Sequence, residues 1–161
     1  MKVYNFSQYS SLYNKFLSEL RDENIQKDSM RFRKNLERLG EISAYEISKT
    51  LQGYSQVTKT PLGTSKTSVP SENLVLATVL RAGLPLHNGL LKYYDNAENC
   101  FISAYRKHTS KEDFEVEIQY MASPNLTDKI VLLSDPMLAT GRSMVLAYLS
   151  LIHISEPTRP Y

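Results

Sequence analysis

The stretch that decides the fold is Lys-Ile-Val-Leu-Leu-Ser-Asp-Pro-Met-Leu-Ala-Thr-Gly-Arg-Ser, residues 129–143. Its first six residues form an apolar run that is typical of a buried strand, and the segment from Arg142 to Leu151 predicts a helix. The loop between them begins at Asp135. Because ligands bind at the carboxyl ends of the strands in an open α/β sheet, we expect Asp135 to face a ligand crevice.

Strand and helix patterns alternate on the N-terminal side of this stretch. Residues 74–80 form an apolar run that ends in a tight turn at 81–83, and residues 85–94 predict a helix. Residues 100–105 predict a further strand. Residues 114–120 alternate apolar with polar side chains, which favours a half-exposed or antiparallel strand. The alternation predicts an α/β fold with a central, mainly parallel sheet flanked by helices.

Two segments nearer the N-terminus have other patterns. Residues 29–51 place apolar side chains three to five positions apart with charges between them, which predicts an amphipathic helix. Residues 53–70 are rich in Gly, Pro, Ser and Thr, with a turn signal at 60–63, and predict an extended, exposed arm.

Composition limits the classes of function. A chain of 161 residues with 42% hydrophobic content suits one domain, and a net charge of +2 gives no reason to expect a nucleic-acid or membrane partner. Cys100 is the single cysteine and is expected to be buried and inert, and His87 is expected to be a packed or surface residue. The histidines and the cysteine lack the ligand spacing of a zinc site. We expect a cytoplasmic protein, since no secretory signal or membrane-spanning run is present.

The loop after Asp135 has the chemistry of a phosphate site. Small residues precede the helix directly, so that backbone N–H groups and the helix N-terminus can converge on an anion. The hydroxyls of Thr140 and Ser143 and the charge of Arg142 add donors, while the carboxylate can accept hydrogen bonds from sugar hydroxyls. A ribose phosphate fits this pattern; the alternative is a helix-capping or turn aspartate.

The residues from Asp135 to Ser143 resemble the loop that binds phosphoribosyl pyrophosphate (PRPP) in uracil phosphoribosyltransferases. Upstream segments match the same family in the same order, and the resemblance covers about residues 10 to 151. These segments are Phe32-Arg33, Tyr45-Glu46, Thr60-Pro61-Leu62, Val79-Leu-Arg-Ala-Gly-Leu84 and Tyr105-Arg106.

The resemblance implies a phosphoribosyltransferase-like fold with a protruding β arm, and transfer of the phosphoribosyl group of PRPP to uracil, giving UMP and pyrophosphate. It implies that Arg81 and Arg106 contact the pyrophosphate and that Asp135 orients the ribose, so Asp135 and Arg106 are the expected catalytic residues. Mg²⁺ is expected to arrive with PRPP, and a homo-oligomer and a GTP effector are further implications. The expected PRPP-binding residues are Arg81, Arg106, Asp135, Pro136, Met137, Leu138, Ala139, Thr140, Gly141, Arg142 and Ser143.

The sequence departs from the family in three ways. Lys107 and His108 follow the second arginine, where the family has acidic residues. Arg142 stands where the family has a glycine, which suits the first turn of a helix but not a position with positive φ. After Leu151 nothing resembles the family's uracil-recognition segment. We therefore expect residues 1–151 to be a phosphoribosyltransferase domain that is incomplete at its C-terminus, and residues 152–161 to be a non-native tail.

Two other functions are left open. A nucleotide-sensing regulator on the same scaffold would bind RNA through a basic stripe, for which the arm from Lys59 to Lys66 is the place to look. The second alternative is a truncated chain that binds PRPP without turning it over.

Overall fold

The computed structural model describes residues 2–71, 73–108, 114–137 and 139–155, without the side chains of residues 105–108, 114–117 and 155. The elements in chain order are α1 (Leu12–Arg21), a short 3-10 turn (Ile25–Lys27), α2 (Ser29–Ser48), β1 (Gly53–Thr60), β2 (Gly63–Pro70), β3 (Leu74–Leu80), α3 (Leu84–Leu91), β4 (Glu98–His108), β5 (Phe114–Ala122), β6 (Ile130–Ser134) and α4 (Arg142–Ser155).

The central sheet has the strand order β5-β4-β3-β6. Strand β3 runs parallel to both β4 and β6, whereas β5 pairs antiparallel with β4. This arrangement confirms the predicted mainly parallel α/β sheet. Of the half-exposed or antiparallel strand expected at residues 114–120, it confirms the antiparallel alternative.

Strands β1 and β2 form a separate antiparallel hairpin, with Thr60 paired to Gly63 across its turn. Most of its residues are exposed. The arm expected at residues 53–70 is therefore a two-stranded ribbon.

Strand β3 is buried on both faces, which explains its continuous apolar run. Val75, Ala77 and Val79 belong to one core cluster together with Ala147 and Leu151 of α4. On the other face, Leu74 and Leu76 lie in a second cluster with Ala44 of α2 and Leu90 of α3. The sheet is thus the middle of three layers, and burying each such aliphatic side chain stabilises the fold by about 1.5–3 kcal/mol.

Helices α2 and α3 approach closely, and this contact positions α3 over the sheet. A Cβ added to Gly40 or Gly89 would overlap with a backbone carbonyl of the other helix. Lys92, at the end of α3, forms ion pairs with Glu37 and Glu41 of α2. Glycine at both crossing positions lets the two backbones pack directly.

The C-terminal ends of three helices differ from the prediction. Helix α2 ends at Ser48 rather than at Leu51, and the helix predicted over 85–94 ends at Leu91. The chain leaves α3 early because Tyr94 turns into the core, where its hydroxyl donates to Ala44 O at 2.8 Å. Helix α4 continues to Ser155, four residues beyond the predicted end. It thus includes residues 152–155, and the non-native origin of 152–161 stays a prediction.

Cys100 is buried, as expected, and His87, which was expected to be either packed or at the surface, is packed. His87 is buried, and its Nε2 donates to Asn99 Oδ1 at 2.8 Å, while its Nδ1 has no hydrogen-bond partner. Burial lowers the pKa of His87 and raises the pKa of the buried Cys100 thiol.

Among the residues described, no helix is both long and apolar enough to span a bilayer.

Candidate active site

The ends of two adjacent parallel strands bring the two main candidate loops to one edge of the sheet. Thr78 of β3 pairs in register with Ser134, the last residue of β6. Arg81 follows the last residue of β3 directly, as Asp135 follows the last residue of β6. Since both strands run in the same direction, Arg81 and Asp135 leave the sheet at the same carboxyl edge.

A third strand extends to this edge. Leu80, at the end of β3, pairs with Ser103 of β4, and β4 continues to His108. The backbone of Arg106 therefore lies three residues beyond that pair, where it is matched with Val116 of β5. The side chain of Arg106 lies outside the described residues, so its expected role stays a prediction.

The turn that carries Arg81 is tight. Gly83 N donates to Val79 O at 3.1 Å, Leu84 N donates to Arg81 O at 3.3 Å, and the Leu80–Arg81 peptide is cis. Gly83 is buried, and a Cβ there would overlap with Thr78 Oγ1 and lie 2.7 Å from Val79 O. Only glycine fits in this space, which lets the turn lie directly on the strand end. Arg81 itself is exposed.

Asp135 begins the second loop and is partly buried. Its Oδ1 accepts a hydrogen bond from Met137 N at 3.1 Å, which is an Asx turn. The turn aspartate considered from the sequence is therefore present. The bond fixes the direction of the carboxylate, and it engages only one of the two oxygens.

The loop enters α4 through a left-handed glycine. Gly141 has φ 75°, and Arg142 is the first residue of α4, which confirms the helical position expected for Arg142. Arg142 N donates to Thr140 Oγ1 at 3.4 Å, and the first helical bond runs from Val145 N to Gly141 O at 2.9 Å. The amides of Ser143 and Met144 come before this first helical bond, so they can provide donors for an anion.

The remaining predicted PRPP-binding residues lie along the same loop. Ala139 and Thr140 are exposed, Pro136 and Ser143 are partly buried, and the exposed fraction of Met137 is 69%. Leu138 lies outside the described residues. Of the other segments that resemble the family, two lie on α2 (Phe32-Arg33 and Tyr45-Glu46) and one lies at the hairpin turn (Thr60-Pro61-Leu62).

One residue at this edge was missed by the sequence reasoning. Thr78 is fully buried, and its Oγ1 donates to Ser134 O at 3.3 Å. The signal in the sequence was a single hydroxyl inside the apolar run Leu-Val-Leu-Ala-Thr-Val-Leu at 74–80.

Comparisons with known proteins assign the family. A family profile described as uracil phosphoribosyltransferase matches residues 8–157. The chain is 51% identical to a uracil phosphoribosyltransferase of Porphyromonas gingivalis, covering 98% of this chain and 73% of that protein. It is 40% identical to the same enzyme of Sulfolobus acidocaldarius, over 91% of this chain and 70% of the relative.

Solved structures agree with the fold. The AQ2163 protein from Aquifex aeolicus superimposes with a TM-score of 0.78 at 29% identity, over 91% of this chain and 69% of that one. A hypoxanthine phosphoribosyltransferase from Staphylococcus aureus, at a TM-score of 0.51 and 17% identity over 78% of this chain and 59% of its own, shares the fold alone. On the family profile and the sequence identities, this chain belongs to the uracil phosphoribosyltransferase family.

Proposed function

We propose that the carboxyl edge of the sheet binds PRPP and that the reaction of this protein is the transfer of its phosphoribosyl group to uracil. The observation that carries the proposal is the common strand edge from which the Arg81 turn and the Asp135 loop leave, in a chain 51% identical to a uracil phosphoribosyltransferase. In the reaction, the bond from ribose C1 to pyrophosphate breaks, a bond from C1 to N1 of uracil forms, and uracil loses its N1 proton.

The proposed roles divide the donor into two halves. Arg81 and Arg106 hold the leaving pyrophosphate through charge-assisted hydrogen bonds. Asp135 accepts hydrogen bonds from the ribose hydroxyls, and the loop from Pro136 to Ser143 holds the 5′-phosphate with its amides and hydroxyls. Because the transition state has oxocarbenium character with negative charge growing on the pyrophosphate, catalysis is mainly positioning and electrostatic stabilisation.

Magnesium fits this site as a companion of the donor. The described part of the chain contains no group of three His, Cys, Asp or Glu residues that would form a protein cage for a metal. Mg²⁺ commonly keeps several waters and binds through one or two carboxylates together with substrate phosphates. When bound, the ion neutralises charge on the pyrophosphate, and Asp135 is the carboxylate that stands nearest in sequence to the phosphate loop.

The competing functions are weaker. Lys59 and Lys66 lie on opposite strands of the exposed hairpin, and the register does not pair them with each other. Two such lysines do not make the basic stripe that RNA binding requires. Assembly into a homo-oligomer, activation by GTP and a cytoplasmic location remain expectations from the family resemblance.

Titration with the two halves of the donor tests the assignment of roles. We expect Mg²⁺-pyrophosphate to bind the wild type and to bind Arg81→Ala at least about tenfold more weakly, since an exposed arginine is lost without disturbing the core. The affinity for ribose 5-phosphate should change little in Arg81→Ala and fall strongly in Asp135→Asn. Lys59→Ala on the hairpin is the matched control and should bind both ligands as the wild type does.

Turnover needs its own assay, because binding without catalysis was left open. With PRPP, Mg²⁺ and uracil together, formation of UMP and pyrophosphate would establish the full reaction. Donor binding without UMP would limit the chain to the donor half of the reaction. If Arg81→Ala and Asp135→Asn each lost affinity for pyrophosphate and for ribose 5-phosphate to the same extent, the division of roles would be contradicted.

A further inference from the structure

Thr78 is a hydroxyl placed in an apolar layer. On β3 it follows Leu74 and Leu76 on the face that packs under α2 and α3, and its side chain is fully buried. Burying a hydroxyl there without a partner would cost free energy. Thr78 satisfies its hydroxyl by donating to the backbone carbonyl of Ser134 at 3.3 Å.

A second bond runs in the opposite direction across the same strand pair. Ser134 Oγ, which is also buried, donates to Ala77 O at 3.2 Å. These two side-chain bonds add to the backbone ladder at the last paired position of β3 and β6. They therefore hold the carboxyl ends of the two strands together one residue before Asp135.

The same hydroxyl also meets the turn after β3. A Cβ at Gly83 would overlap with Thr78 Oγ1, so the oxygen lies directly against the glycine. Arg81 is in this turn, and Gly83 N is bonded back to Val79 O. One atom, Thr78 Oγ1, thus contacts the Arg81 turn on one side and, on the other, the end of β6 just before Asp135.

We propose that Thr78 is a positioning residue that sets Arg81 relative to Asp135, and so aligns the pyrophosphate side of the site with the ribose side. The inference rests on the proposed function. Thr78 lies in the buried layer beneath the loops, so it acts through the strand end and the turn. Binding of a donor that spans both loops depends on their separation, because a ligand of fixed size loses contacts when either loop moves.

The test compares PRPP binding in variants of the whole chain. Thr78→Val keeps the shape of the side chain and removes the hydrogen-bond donor. We expect PRPP with Mg²⁺ to bind this variant about tenfold more weakly, which is the size of effect expected when one hydrogen bond is lost and its carbonyl acceptor stays buried. Thr78→Ser keeps the hydroxyl and should bind within about threefold of the wild type, an estimate that allows for the small cost of the lost methyl. The half-ligands provide a second readout: pyrophosphate alone and ribose 5-phosphate alone should each bind Thr78→Val nearly as the wild type.

Val75→Ala is the matched control. Val75 lies on the same strand, is fully buried and points to the opposite core cluster. It should lower Tm while leaving PRPP affinity unchanged in the folded chain.

The outcomes separate the two claims. Wild-type chain that is folded but does not bind PRPP would overturn the proposed function, and the inference with it. Wild-type binding with equal affinity in Thr78→Val would overturn the inference alone. Loss of affinity in both Thr78→Val and Thr78→Ser, in proportion to loss of Tm, would also overturn it, because a merely structural role predicts that result.

Discussion

Replacing Gly83 with alanine should destabilise the protein and displace the turn that carries Arg81. The backbone of Gly83 has φ −70°, which alanine adopts readily, so the effect of the substitution comes from space alone. The added methyl would overlap with Thr78 Oγ1 and lie 2.7 Å from Val79 O. The first of these atoms is on a buried side chain and the second belongs to the backbone, so neither can move freely.

The expected magnitude follows from this overlap. Overpacking a close-packed site costs about 1–3 kcal/mol in the free energy of unfolding. For a chain of this size, 2 kcal/mol corresponds to a decrease in Tm of about 4–8 °C. Because Arg81 lies two residues before Gly83 in the same turn, the displaced segment includes Arg81, and PRPP affinity should fall together with stability.

A double-mutant cycle identifies the cause. Urea denaturation of Gly83→Ala, Thr78→Ala and the double variant should show that the second substitution recovers part of the cost, with a coupling of about 0.5–3 kcal/mol for residues in contact. Gly53→Ala is the control, since the close atom there is a Ser68 hydroxyl on the exposed hairpin; it should change stability by no more than about 0.5 kcal/mol. Strict additivity at positions 78 and 83 would refute the reasoning.

Two further predictions concern the histidine in α3 and the glycine before α4. Because burial lowers the pKa of His87, this histidine is protonated at higher pH in the unfolded chain than in the folded chain. The free energy of unfolding should therefore fall as the pH drops below about 6.5, and it should fall less in His87→Gln. Equal pH dependence of the unfolding free energy in the wild type and His87→Gln would contradict this prediction. Gly141→Ala places a side chain at φ 75°, which should cost about 1–2 kcal/mol and weaken PRPP binding, as measured by urea denaturation and titration calorimetry; unchanged values for both would show that the loop tolerates the change.

The sequence predicted the sheet well because its strands carry strong local patterns. The predicted run at 74–80 coincides with β3, and the alternation in 114–120 identified the antiparallel strand. A strand buried on both faces and a strand buried on one face differ in periodicity, and that difference is visible in one sequence.

Helix ends were harder to predict, since long-range contacts decide them. The helix predicted over 85–94 stops at Leu91 because Tyr94 bonds to Ala44 on α2, fifty residues away. The α2–α3 crossing at Gly40 and Gly89 was equally hidden, as each glycine is informative only when the other is known to face it.

The candidate site, like the fold, could be predicted from the sequence only in part. Its order along the chain could be predicted, because Arg81 and Asp135 each follow an apolar strand. The contact of Thr78 with both Gly83 and Ser134 could not, since it depends on the register of β3 with β6. Local signals identify which residues reach the edge, and pairing decides which atoms meet there.

Titration calorimetry of the wild type and Asp135→Asn with PRPP and Mg²⁺ tests the central claim most directly. The account predicts saturable binding to the wild type, and affinity at least about tenfold weaker in the variant, because a neutral amide accepts hydrogen bonds from the ribose hydroxyls less strongly than a carboxylate. Circular dichroism would verify that both proteins are folded. Equal affinity in the two folded proteins would contradict the assignment of Asp135 to the donor site.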